Sequence, residues 1–550
     1  MNRLLRRCIT FALVVVHGAW AFAQSSFTID GLTYCLDADD FTASVTACDP
    51  SSDTATIPEN VTMDGNTYTV TNVDDACFSG CTALTAVSLP NTLTSLGYAC
   101  FQGCTGLTKI DIPTSIRGIG KNCFANCSNL AKVYMRPTTP PMLGGSILDG
   151  TSTDLTVYVF SDEALTNYKA ATAWNGYNFI NLDNVTIGRN RYSLDVDTHT
   201  AELKSFQPGH EEDGIWYYTE VNIPEIVTLS GEDYTVTRLG DYCCKNEMQE
   251  VIVEKLNIPT TVTTLGKGCF SECWGIRSIS IPSSVTSIGD ECFSYCYNYW
   301  FREICIPNSV KSIGDRCFAG CSYLERINLP DTLSFLGSSC FSGCEHLSSI
   351  TIPNGVIELK GGGSYDDGFF SNCYSLKTVI LPNSLTRIGP ACFYSCRSLE
   401  TITLPCVEEI DYIAFGGGCT NLKSLTLPKT LVSIHEDAFG FSASLENLGE
   451  ITVEEGNPIY DSRDNCNAVL QTSTNKLLFG CKNTIIPNTA TSIIKFCSLP
   501  SYLVIPENIT SIASYCFTGD ERQISLVMFP TTPPEVSGES ICNGDITPTI

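Results

Sequence analysis

Two consecutive stretches of sequence decide the fold: LTAVSLPNTLTSLGYACFQGC at residues 84–104 and LTKIDIPTSIRGIGKNCFANC at residues 107–127. They begin 23 residues apart and share an alternating triplet before a proline, a glycine turn and a C-F-x-x-C segment. The triplet Ile110-Asp111-Ile112 predicts a short strand, and Pro113, which has no backbone N–H, predicts its end. A unit of this size that recurs at a fixed period is typical of a solenoid.

The same unit recurs along most of the chain. Its phenylalanines return in two series at intervals of 22–29 residues, most often 23, and its prolines keep step. The phenylalanines are Phe78, Phe101, Phe124, Phe270, Phe293, Phe318, Phe341, Phe370, Phe393, Phe415 and Phe439. One unit cannot bury its own apolar side, so stacked neighbours must supply the missing face.

Each coil is predicted to combine short strands with a short helical turn. Residues 284–289 carry a second inward-facing apolar pair before a glycine, and residues 290–296 are interpreted as one or two helical turns with Phe293 and Cys296 inside. Parallel stacking raises each coil by the strand spacing, ~4.8 Å. The predicted fold class is an α/β repeat solenoid of parallel strands and helical turns, with caps at both ends.

Composition limits the function. The chain has 550 residues, 43% of them hydrophobic, a formal net charge of −27 and five histidines. A chain this acidic repels phosphate backbones, so nucleic acid is not an expected partner. The few histidines leave little of the residue that catalysis and metal binding use most. We therefore expect a protein that is not an enzyme and has no cofactor.

The repeat L-x-x-I-x-I-P-x-x-[LV]-x-x-[IL]-G-x-x-C-F-x-x-C resembles that of the BspA-type, or treponemal-type, leucine-rich-repeat family of bacterial surface proteins. The irregular segment at residues 456–467 and the stretch at 480–487 are similar to a longer repeat variant of that family. The resemblance implies a leucine-rich-repeat solenoid and adhesion to host matrix proteins or to neighbouring cells. Solenoids are scaffolds for many partners, so the motif specifies the fold more closely than the function.

The repeats fall into two modules. The first series stops at residues 136–141, before a strand-like stretch and a helical patch (163–174) that are typical of a C-terminal cap. Residues 185–194 then mirror residues 27–36, which indicates a second N-terminal cap. We predict a first leucine-rich-repeat module at 24–182 and a second, longer one at 183–550. The cap motif recurs close to the chain end, so we expect the last cap to be truncated from about residue 529.

The N-terminus carries an export pattern. Three arginines within the first seven residues precede an apolar run at residues 9–16, and small residues at positions 21 and 23 are those that signal peptidase reads. This pattern predicts a cleaved signal peptide at residues 1–23 and a location outside the cell or on the bacterial surface. No segment approaches the ~20 apolar residues of a transmembrane helix.

Thirty cysteines in an exported chain would ordinarily indicate a disulfide framework. Here most of them fall into two columns: the first column directly precedes the repeat phenylalanine, and the second column follows it by three residues. The first column also accepts Ala414 and Ala438, as a small buried position does. We therefore expect mostly reduced thiols, and occasional disulfides between neighbouring coils remain an alternative.

Metal and catalytic candidates are weaker. A metal role for the C-F-x-x-C pairs is an alternative, although no histidine accompanies them. Asp195, Asp197 and His199 alternate along a predicted strand, where a polar outer face is the preferred interpretation. Asp461 and Asp464 have the oxygen ligands of a calcium site without the spacing of an EF-hand. We predict no catalytic residue, no cofactor-binding residue and no metal site.

A two-residue insertion after Cys296 provides the candidate binding site. Aromatic residues and arginine, the types enriched in binding hot spots, are concentrated there. The candidate partner-binding residues are Tyr297, Tyr299, Trp300, Phe301 and Arg302. An insertion in a tight coil should bulge outward and expose some of them; the alternative is that Trp300 or Phe301 folds back over the core.

The expected function is a non-enzymatic binding scaffold, secreted or on the cell surface, whose partner is an extracellular protein of a host or a neighbouring cell. Two alternatives remain open. Trp and Tyr side chains would also serve in the capture of glycans, and a solenoid pair would also serve as a structural spacer in a surface layer.

Overall fold

The computed structural model describes residues 26–207, 216–218, 220–245, 251–362, 364–440, 445–517, 525–528 and 532–537. The predicted signal peptide at residues 1–23 therefore lies outside the described residues, as does the start of the repeated cap motif near residue 529. The chain divides into two compact units, Met1–Asp183 and Asn184–Ile550.

The first unit begins with a β-sheet cap. Strands Ser26–Ile29, Leu32–Asp37 and Thr42–Cys48 pair antiparallel in chain order. Alternate residues of the middle strand are buried, which is the pattern of a strand with one face on the core. A hairpin of Asn60–Met63 and Asn66–Val73 joins the cap to the coils, because Asn66–Val73 pairs parallel with the third cap strand.

Two parallel ladders run through the coils of the first unit. The first ladder contains, in order, Asn66–Val73, Ser95–Leu96, Gly118–Ile119 and Met142–Leu143. The second ladder contains Thr54–Thr56 paired with Ala86–Ser88, followed by Lys109–Ile112, Lys132–Met135, Thr156–Val159 and Asn178–Asn181. The strand predicted at Ile110-Asp111-Ile112 is therefore confirmed.

A short α-helix lies beyond the last coil of this unit. Helix Asp162–Ala170 begins after Ser161, whose hydroxyl accepts a hydrogen bond from Ala164 N at 3.0 Å, as an N-cap residue does. The rings of Tyr168 and Trp174 are buried and meet edge to face, 5.0 Å apart. One-turn 3-10 helices follow at Thr172–Trp174 and Leu182–Asn184.

The second unit repeats this plan. Its cap strands Val185–Ile187, Asn190–Asp195 and Thr200–Ser205 pair antiparallel, and the hairpin Ile226–Leu229 and Glu232–Leu239 joins them to the coils. The first ladder of this unit starts at Glu232–Leu239 and contains Thr264–Leu265, Ser287–Ile288, Ser312–Ile313 and Phe335–Leu336. A separate set of parallel strands contains Glu358–Leu359, Arg387–Ile388, Glu409–Ile410 and Ser433–Ile434.

The second ladder of this unit is built from short parallel sets. They are Trp216–Tyr218 with Val251–Val253; Val221–Asn222, Leu256–Asn257 and Ile279–Ser280; Glu303–Cys305 with Arg326–Asn328; Ser349–Thr351 with Thr378–Ile380; and Ser424–Leu427 with Glu450–Val453. One-turn 3-10 helices occupy Tyr365–Asp367 and Arg463–Asn465.

The irregular segment after the last regular coils folds as an antiparallel meander. Its strands are Tyr460–Asp461, Ala468–Gln471 and Lys476–Gly480. Parallel pairing then resumes through Ser492–Ile493, Ser511–Ala513 and Glu535–Ser537, while Tyr502–Ile505 pairs with Ser525–Met528. Buried apolar residues between them, Phe496 among them, form the core of this region.

The interior of the regular coils is a column of stacked phenylalanine rings. In the first unit, Phe78 and Phe101 lie 4.9 Å apart and Phe101 and Phe124 lie 5.4 Å apart. In the second unit, the rings of Phe293 and Phe318 are 5.4 Å apart with only 3° between their planes. All five are buried, so the repeated phenylalanine marks the core.

The predicted helical turns are wrong. The C-F-x-x-C segments are turns whose N–H groups bond sideways to the next coil: Phe293 N donates to Cys317 O at 2.9 Å and Tyr295 N donates to Ala319 O at 2.7 Å. These donors are then not available to the i−4 carbonyls of a helix. Glu291 and Tyr295 also adopt left-handed backbone, with φ of 55° and 57°, which an α-helix does not contain. The fold is a solenoid of mostly strands and turns.

Candidate binding surface

One asparagine holds the insertion after Cys296 in place. Asn298 donates through Nδ2 to Ile276 O, one coil earlier, at 3.1 Å, and its Oδ1 accepts from Trp300 N at 2.9 Å. Its carbonyl oxygen accepts from Phe301 N at 2.9 Å. Asparagine favours such turns because its side chain bonds to nearby backbone. The inserted residues therefore form a pinned turn.

This turn sends Phe301 inward. Its side chain is 2% exposed, and its ring centroid lies 6.3 Å from that of Phe293. Phe301 thus packs beside the interior column, and its prediction as a partner-binding surface residue is corrected: it is a core residue. Phe301 therefore follows the alternative prediction, in which Trp300 or Phe301 folds back over the core.

The other four predicted residues lie at the surface. Tyr297, Tyr299 and Trp300 are 45%, 48% and 44% exposed, and the rings of Tyr299 and Trp300 are 4.2 Å apart. Arg302 donates through Nε to Tyr299 O at 3.0 Å and pairs with Glu325 at 2.9 Å. The arginine therefore ties the turn to the following coil.

Three further aromatic side chains that the sequence analysis missed lie beside the insertion: Tyr295 in the same coil, and Trp274 and Tyr323 in the coils before and after it. Trp274 and Tyr295 lie 6.4 Å and 5.8 Å from Tyr297, and Tyr323 lies 6.5 Å from Tyr299, measured between ring centroids. All three are more than one-third exposed. The rings therefore continue from coil to coil rather than ending at the insertion.

A cation completes this surface. The guanidinium of Arg277 lies 4.5 Å from the ring centroid of Trp300, within cation–π range, and also pairs with Glu254 at 2.8 Å. We call this surface the aromatic patch; its residues are Trp274, Arg277, Tyr295, Tyr297, Tyr299, Trp300, Arg302 and Tyr323.

The sequence contains a signal for the missed residues. Trp274 and Tyr297 each directly follow a second-column cysteine, and Tyr323 stands one position further along its own coil. Equivalent positions of stacked coils lie side by side. Alignment of the coils, rather than inspection of the insertion alone, would have brought these rings together.

Burial and the charge of neighbouring Tyr295 raise the pKa of Tyr297. An ordinary tyrosine is already protonated at neutral pH, so the Tyr297 hydroxyl keeps its hydrogen to donate. Tyr and Trp side chains of this kind offer a partner an apolar ring with one polar edge.

Arg316 connects the aromatic patch to the loop inserted at residues 361–367, of which Gly363 lies outside the described residues. Its guanidinium donates to the Tyr295 hydroxyl at 3.3 Å and to Asp367 Oδ1 at 2.6 Å. Burial alone would lower the pKa of Arg316, but the hydrogen bond to Tyr295 and the charge of Asp367 outweigh burial and raise it. Tyr365, on the same loop, stacks 5.7 Å from Tyr394.

A shallow groove of about 380 Å³ lies on the first ladder of the second unit. Its lining includes Thr264, Ser287, Ser312, Arg238, Asp241, Lys267, Asp290 and Phe335. Two cations face two carboxylates there, so the groove has no net charge with which to select an ion. The aromatic patch is the better candidate for a partner.

Every described cysteine is a thiol. Most are buried, whereas Cys305 is exposed. Burial raises the pKa of the first-column thiol Cys340 to about 12, and a protonated thiol is a poor nucleophile. That most cysteines stay reduced remains a prediction.

Three thiols converge at the first coil of the second unit. Cys243 Sγ lies 3.6 Å from Cys244 Sγ and 3.4 Å from Cys269 Sγ, and all three side chains are buried. Cys244 stands where other coils carry the repeat phenylalanine. Three thiolates can hold a soft metal ion. Burial raises the pKa of Cys244 and Cys269 and favours their protonated form, whereas at Cys243 burial is outweighed by the hydrogen bonds from these two thiols, which lower the pKa to about 5. The absence of a metal site remains a prediction.

The oxygen-rich candidates have other roles. Asp461 is paired with Arg463 at 2.5 Å, which commits its carboxylate to a guanidinium. The strand predicted through Asp195, Asp197 and His199 is wrong, because the strand ends at Asp195 and its Oδ1 accepts from Asp197 N at 2.8 Å in a turn. The three side chains therefore do not alternate along one strand face.

The one α-helix of the described chain has nine residues, and no membrane-spanning helix occurs in the part of the chain that the structure describes.

Known structures provide comparisons of modest similarity. A leucine-rich repeat protein from Bacteroides ovatus is 25% identical, with 78% of this chain and 95% of that protein covered and a TM-score of 0.34. A leucine-rich cell surface protein from Faecalibacterium prausnitzii is 18% identical, with 65% and 95% covered and a TM-score of 0.25. A leucine-rich repeat protein from T. pallidum is 22% identical, with 39% and 90% covered and a TM-score of 0.31.

Sequence comparison settles the family. No curated protein matches the chain. The model of the BspA type leucine rich repeat region, in 6 copies, matches residues 57–168, 237–362, 363–462 and 470–543. These ranges together span more than half of the chain, and the protein therefore belongs to the BspA-type leucine-rich-repeat family.

Proposed function

We propose that this protein is a non-enzymatic binding scaffold, secreted or held at the bacterial cell surface, that binds an extracellular protein of a host or neighbouring cell through its aromatic patch. The family and the N-terminal export pattern support the location. The observation that carries the proposal is the concentration of six exposed aromatic side chains in the aromatic patch, on coils whose repeat phenylalanines form the core.

The chemistry of the aromatic patch favours a protein ligand. Aromatic side chains with arginine are the residues that carry most of the energy of protein interfaces. The coils are fixed by hydrogen bonds, so little conformational entropy is lost when a partner docks. Arg277 and Arg302 are already paired with Glu254 and Glu325, so their role is to orient the rings of the patch rather than to supply unpaired charge.

The histidines that the structure describes support a role without catalysis. His199 stacks 5.8 Å from Tyr234, His346 stacks 5.1 Å from Tyr323, and His435 accepts through Nδ1 from the amide two residues on at 3.0 Å. A general base needs a free imidazole nitrogen beside a nucleophile. These histidines instead contact neighbouring tyrosine rings and backbone at the surface of the coils.

Glycan capture is the second candidate, and the Tyr299–Trp300 pair favours it. Two exposed rings 4.2 Å apart form an apolar platform of the kind that packs against a sugar ring. Arg277 already covers one face of Trp300, which narrows this platform and places glycans second. A structural spacer would need no such surface.

Binding to immobilised panels tests the proposal. The protein, its double variant Tyr299→Ala plus Trp300→Ala, and a control variant Tyr98→Ala plus Tyr502→Ala are applied to extracellular-matrix proteins, collagen and laminin among them, and to polysaccharides. The control removes two tyrosines that are at least half exposed and lie elsewhere. We expect saturable binding to a matrix protein that the patch variant loses and the control keeps.

Other outcomes contradict this proposal in distinguishable ways. Binding to a polysaccharide alone, lost in the patch variant, would replace a protein ligand with a glycan. Equal binding by all three proteins would move the site away from the aromatic patch. Absence of binding to both panels, with a folded protein, would favour the spacer.

A further inference from the structure

Second-column cysteines share one hydrogen bond. Eight of these thiols donate to the carbonyl oxygen of the repeat phenylalanine one coil earlier, over 2.9–3.3 Å. The pairs are Cys104 with Phe78, Cys127 with Phe101, Cys296 with Phe270, Cys321 with Phe293, Cys344 with Phe318, Cys373 with Phe341, Cys396 with Phe370 and Cys419 with Phe393. This recurring acceptor explains why the column keeps a thiol from coil to coil.

Two second-column thiols differ. Cys273 donates to the carbonyl oxygen of Cys244, which stands at the phenylalanine position, at 2.9 Å, whereas Cys81 opens the column in the first unit. Phe78 is the first repeat phenylalanine, so no earlier phenylalanine carbonyl precedes Cys81. The Sγ of Cys81 lies instead 3.0 Å from the Sγ of Cys48. Cys48 belongs to neither column: it is the last residue of cap strand Thr42–Cys48. The two thiols therefore meet where the cap joins the first coil.

Among the close thiol pairs of the described residues, this pair has a half-buried member that an oxidant can reach. Cys48 is only half-buried, whereas Cys81 is 3% exposed. Both line a small cavity of about 10 Å³ next to the exposed residue Asp49. The convergent thiols Cys243 and Cys269, 3.4 Å apart, are at most 1% exposed, so the same reagent has no path to them.

We propose that Cys48 and Cys81 form a disulfide that joins the N-terminal cap of the first unit to its first coil. The two Sγ atoms need to approach by about 1 Å to reach the ~2.05 Å of an S–S bond. This bond would replace the missing phenylalanine carbonyl as the partner of Cys81. The second-column thiols of the later coils keep their carbonyl acceptors and stay reduced.

The oxidant is a disulfide, either of a thiol–disulfide oxidoreductase or of oxidised glutathione. Burial and the contact with Cys81 raise the pKa of the Cys48 thiol to about 12, so the attack proceeds through its minor thiolate form. That thiolate attacks one sulfur of the oxidant disulfide, which forms a mixed disulfide and releases one thiol. The thiolate of Cys81 then attacks Cys48 Sγ and displaces the second thiol. Two S–H bonds are lost, one S–S bond forms, and two electrons and two protons pass to the oxidant, which leaves as two thiols.

Peptide mapping of the full chain tests the pairing. The folded protein is equilibrated with oxidised glutathione, its remaining thiols are alkylated in denaturant, and the peptides are analysed by mass spectrometry without reduction. We expect one linked peptide pair, with Cys48 joined to Cys81, and alkylated second-column cysteines. Recovery of both residues alkylated, or of Cys48 joined to Cys77 or another cysteine, would overturn the proposal.

A thermal measurement checks the consequence independently. Reduction should lower the midpoint of thermal unfolding of the first unit by roughly 5–10 °C, because the cross-link restricts the unfolded chain. Cys48→Ser should have the lower midpoint with or without reductant, and Cys305→Ser, which removes an exposed thiol, should behave as the unsubstituted protein does. A midpoint that reductant leaves unchanged in the unsubstituted protein would contradict the disulfide.

Discussion

Aromatic side chains have opposite roles on the inside and the outside of the same coils. Inside the second unit, Phe293 and Phe318 lie 5.4 Å apart, nearly parallel and buried. Outside, Tyr299 and Trp300 lie 4.2 Å apart at 37° and are almost half exposed. The interior spacing repeats because hydrogen bonds set the rise of each coil, whereas the exterior pair arises at one insertion. Repetition in this sequence therefore reports the fold, and departures from repetition report candidate surfaces.

Raising the pH should lower the stability of the protein through the buried thiols of its interior, and this is the largest effect that we expect. Burial raises the pKa of the Cys340 and Cys419 thiols to about 12, whereas an unfolded cysteine ionises near pH ~8.5. Between these values the unfolded state releases protons that the folded state keeps. The buried thiols therefore make their full contribution to the free energy of unfolding below pH ~8.5. Above that pH, the free energy of unfolding falls by about 1.4 kcal/mol per pH unit for each such thiol. We expect the protein to unfold between about pH 9 and 11, and circular dichroism measures this transition.

Two variants separate interior from exterior thiols in that titration. Cys340→Ala should make the pH dependence shallower by the contribution of one thiol, and Cys305→Ala, which removes an exposed thiol, is the matched control. A free energy of unfolding that stays constant to pH ~11 would contradict the account of the buried columns.

Truncating one interior ring should cost more than truncating an exterior one. Phe318 is fully buried between Phe293 and Phe341, at 5.4 Å and 5.6 Å. Phe318→Ala should therefore lower the free energy of unfolding by about 3–5 kcal/mol. Tyr323→Ala, in the same coil but 38% exposed, should lower it by less than about 1 kcal/mol. Urea unfolding of both variants measures the difference, and equal losses would erase the distinction.

The two cysteine columns should differ by a smaller amount. Cys340 and Cys344 are both fully buried, but the Cys344 thiol donates to Phe318 O at 3.2 Å. The first column, in contrast, already holds alanine in two coils. Cys344→Ala should therefore cost about 1 kcal/mol more than Cys340→Ala, the usual worth of one buried hydrogen bond. A larger loss in Cys340→Ala, by the same urea titration, would show that the columns are not distinguished in this way.

Much of the fold could be predicted because its signals are local. The alternation of Ile110 and Ile112 about Asp111 specifies a strand, and that strand is Lys109–Ile112. The turn after the glycine could not be predicted, because the spacing of Phe293 and Cys296 suits a helical turn equally well. What decides is the hydrogen bond from Phe293 N to Cys317 O in the next coil, a contact between residues 24 positions apart.

The candidate site shows the same limit. The insertion could be predicted to expose some of its aromatic side chains because it has no room in a tight coil, but the sequence left open whether Trp300 or Phe301 folds back over the core. The choice between the rings depends on Asn298, because its side chain donates a hydrogen bond to Ile276 O of the preceding coil and fixes the turn. In this turn, Phe301 is the ring that points inward. Trp274 was missed because a single coil shows it only as one substitution in a variable position.

We expect the aromatic patch to bind a partner without stabilising the fold. One double variant, measured for both its free energy of unfolding and its affinity, tests this expectation most directly. For Tyr299→Ala plus Trp300→Ala, we expect the free energy of unfolding to stay within about 1 kcal/mol of the unsubstituted protein, since both side chains are exposed. The dissociation constant for the matrix protein selected on the panel should rise by about 30-fold or more, as hot-spot truncation does. Unchanged affinity, or a loss of stability comparable to that of Phe318→Ala, would contradict the account.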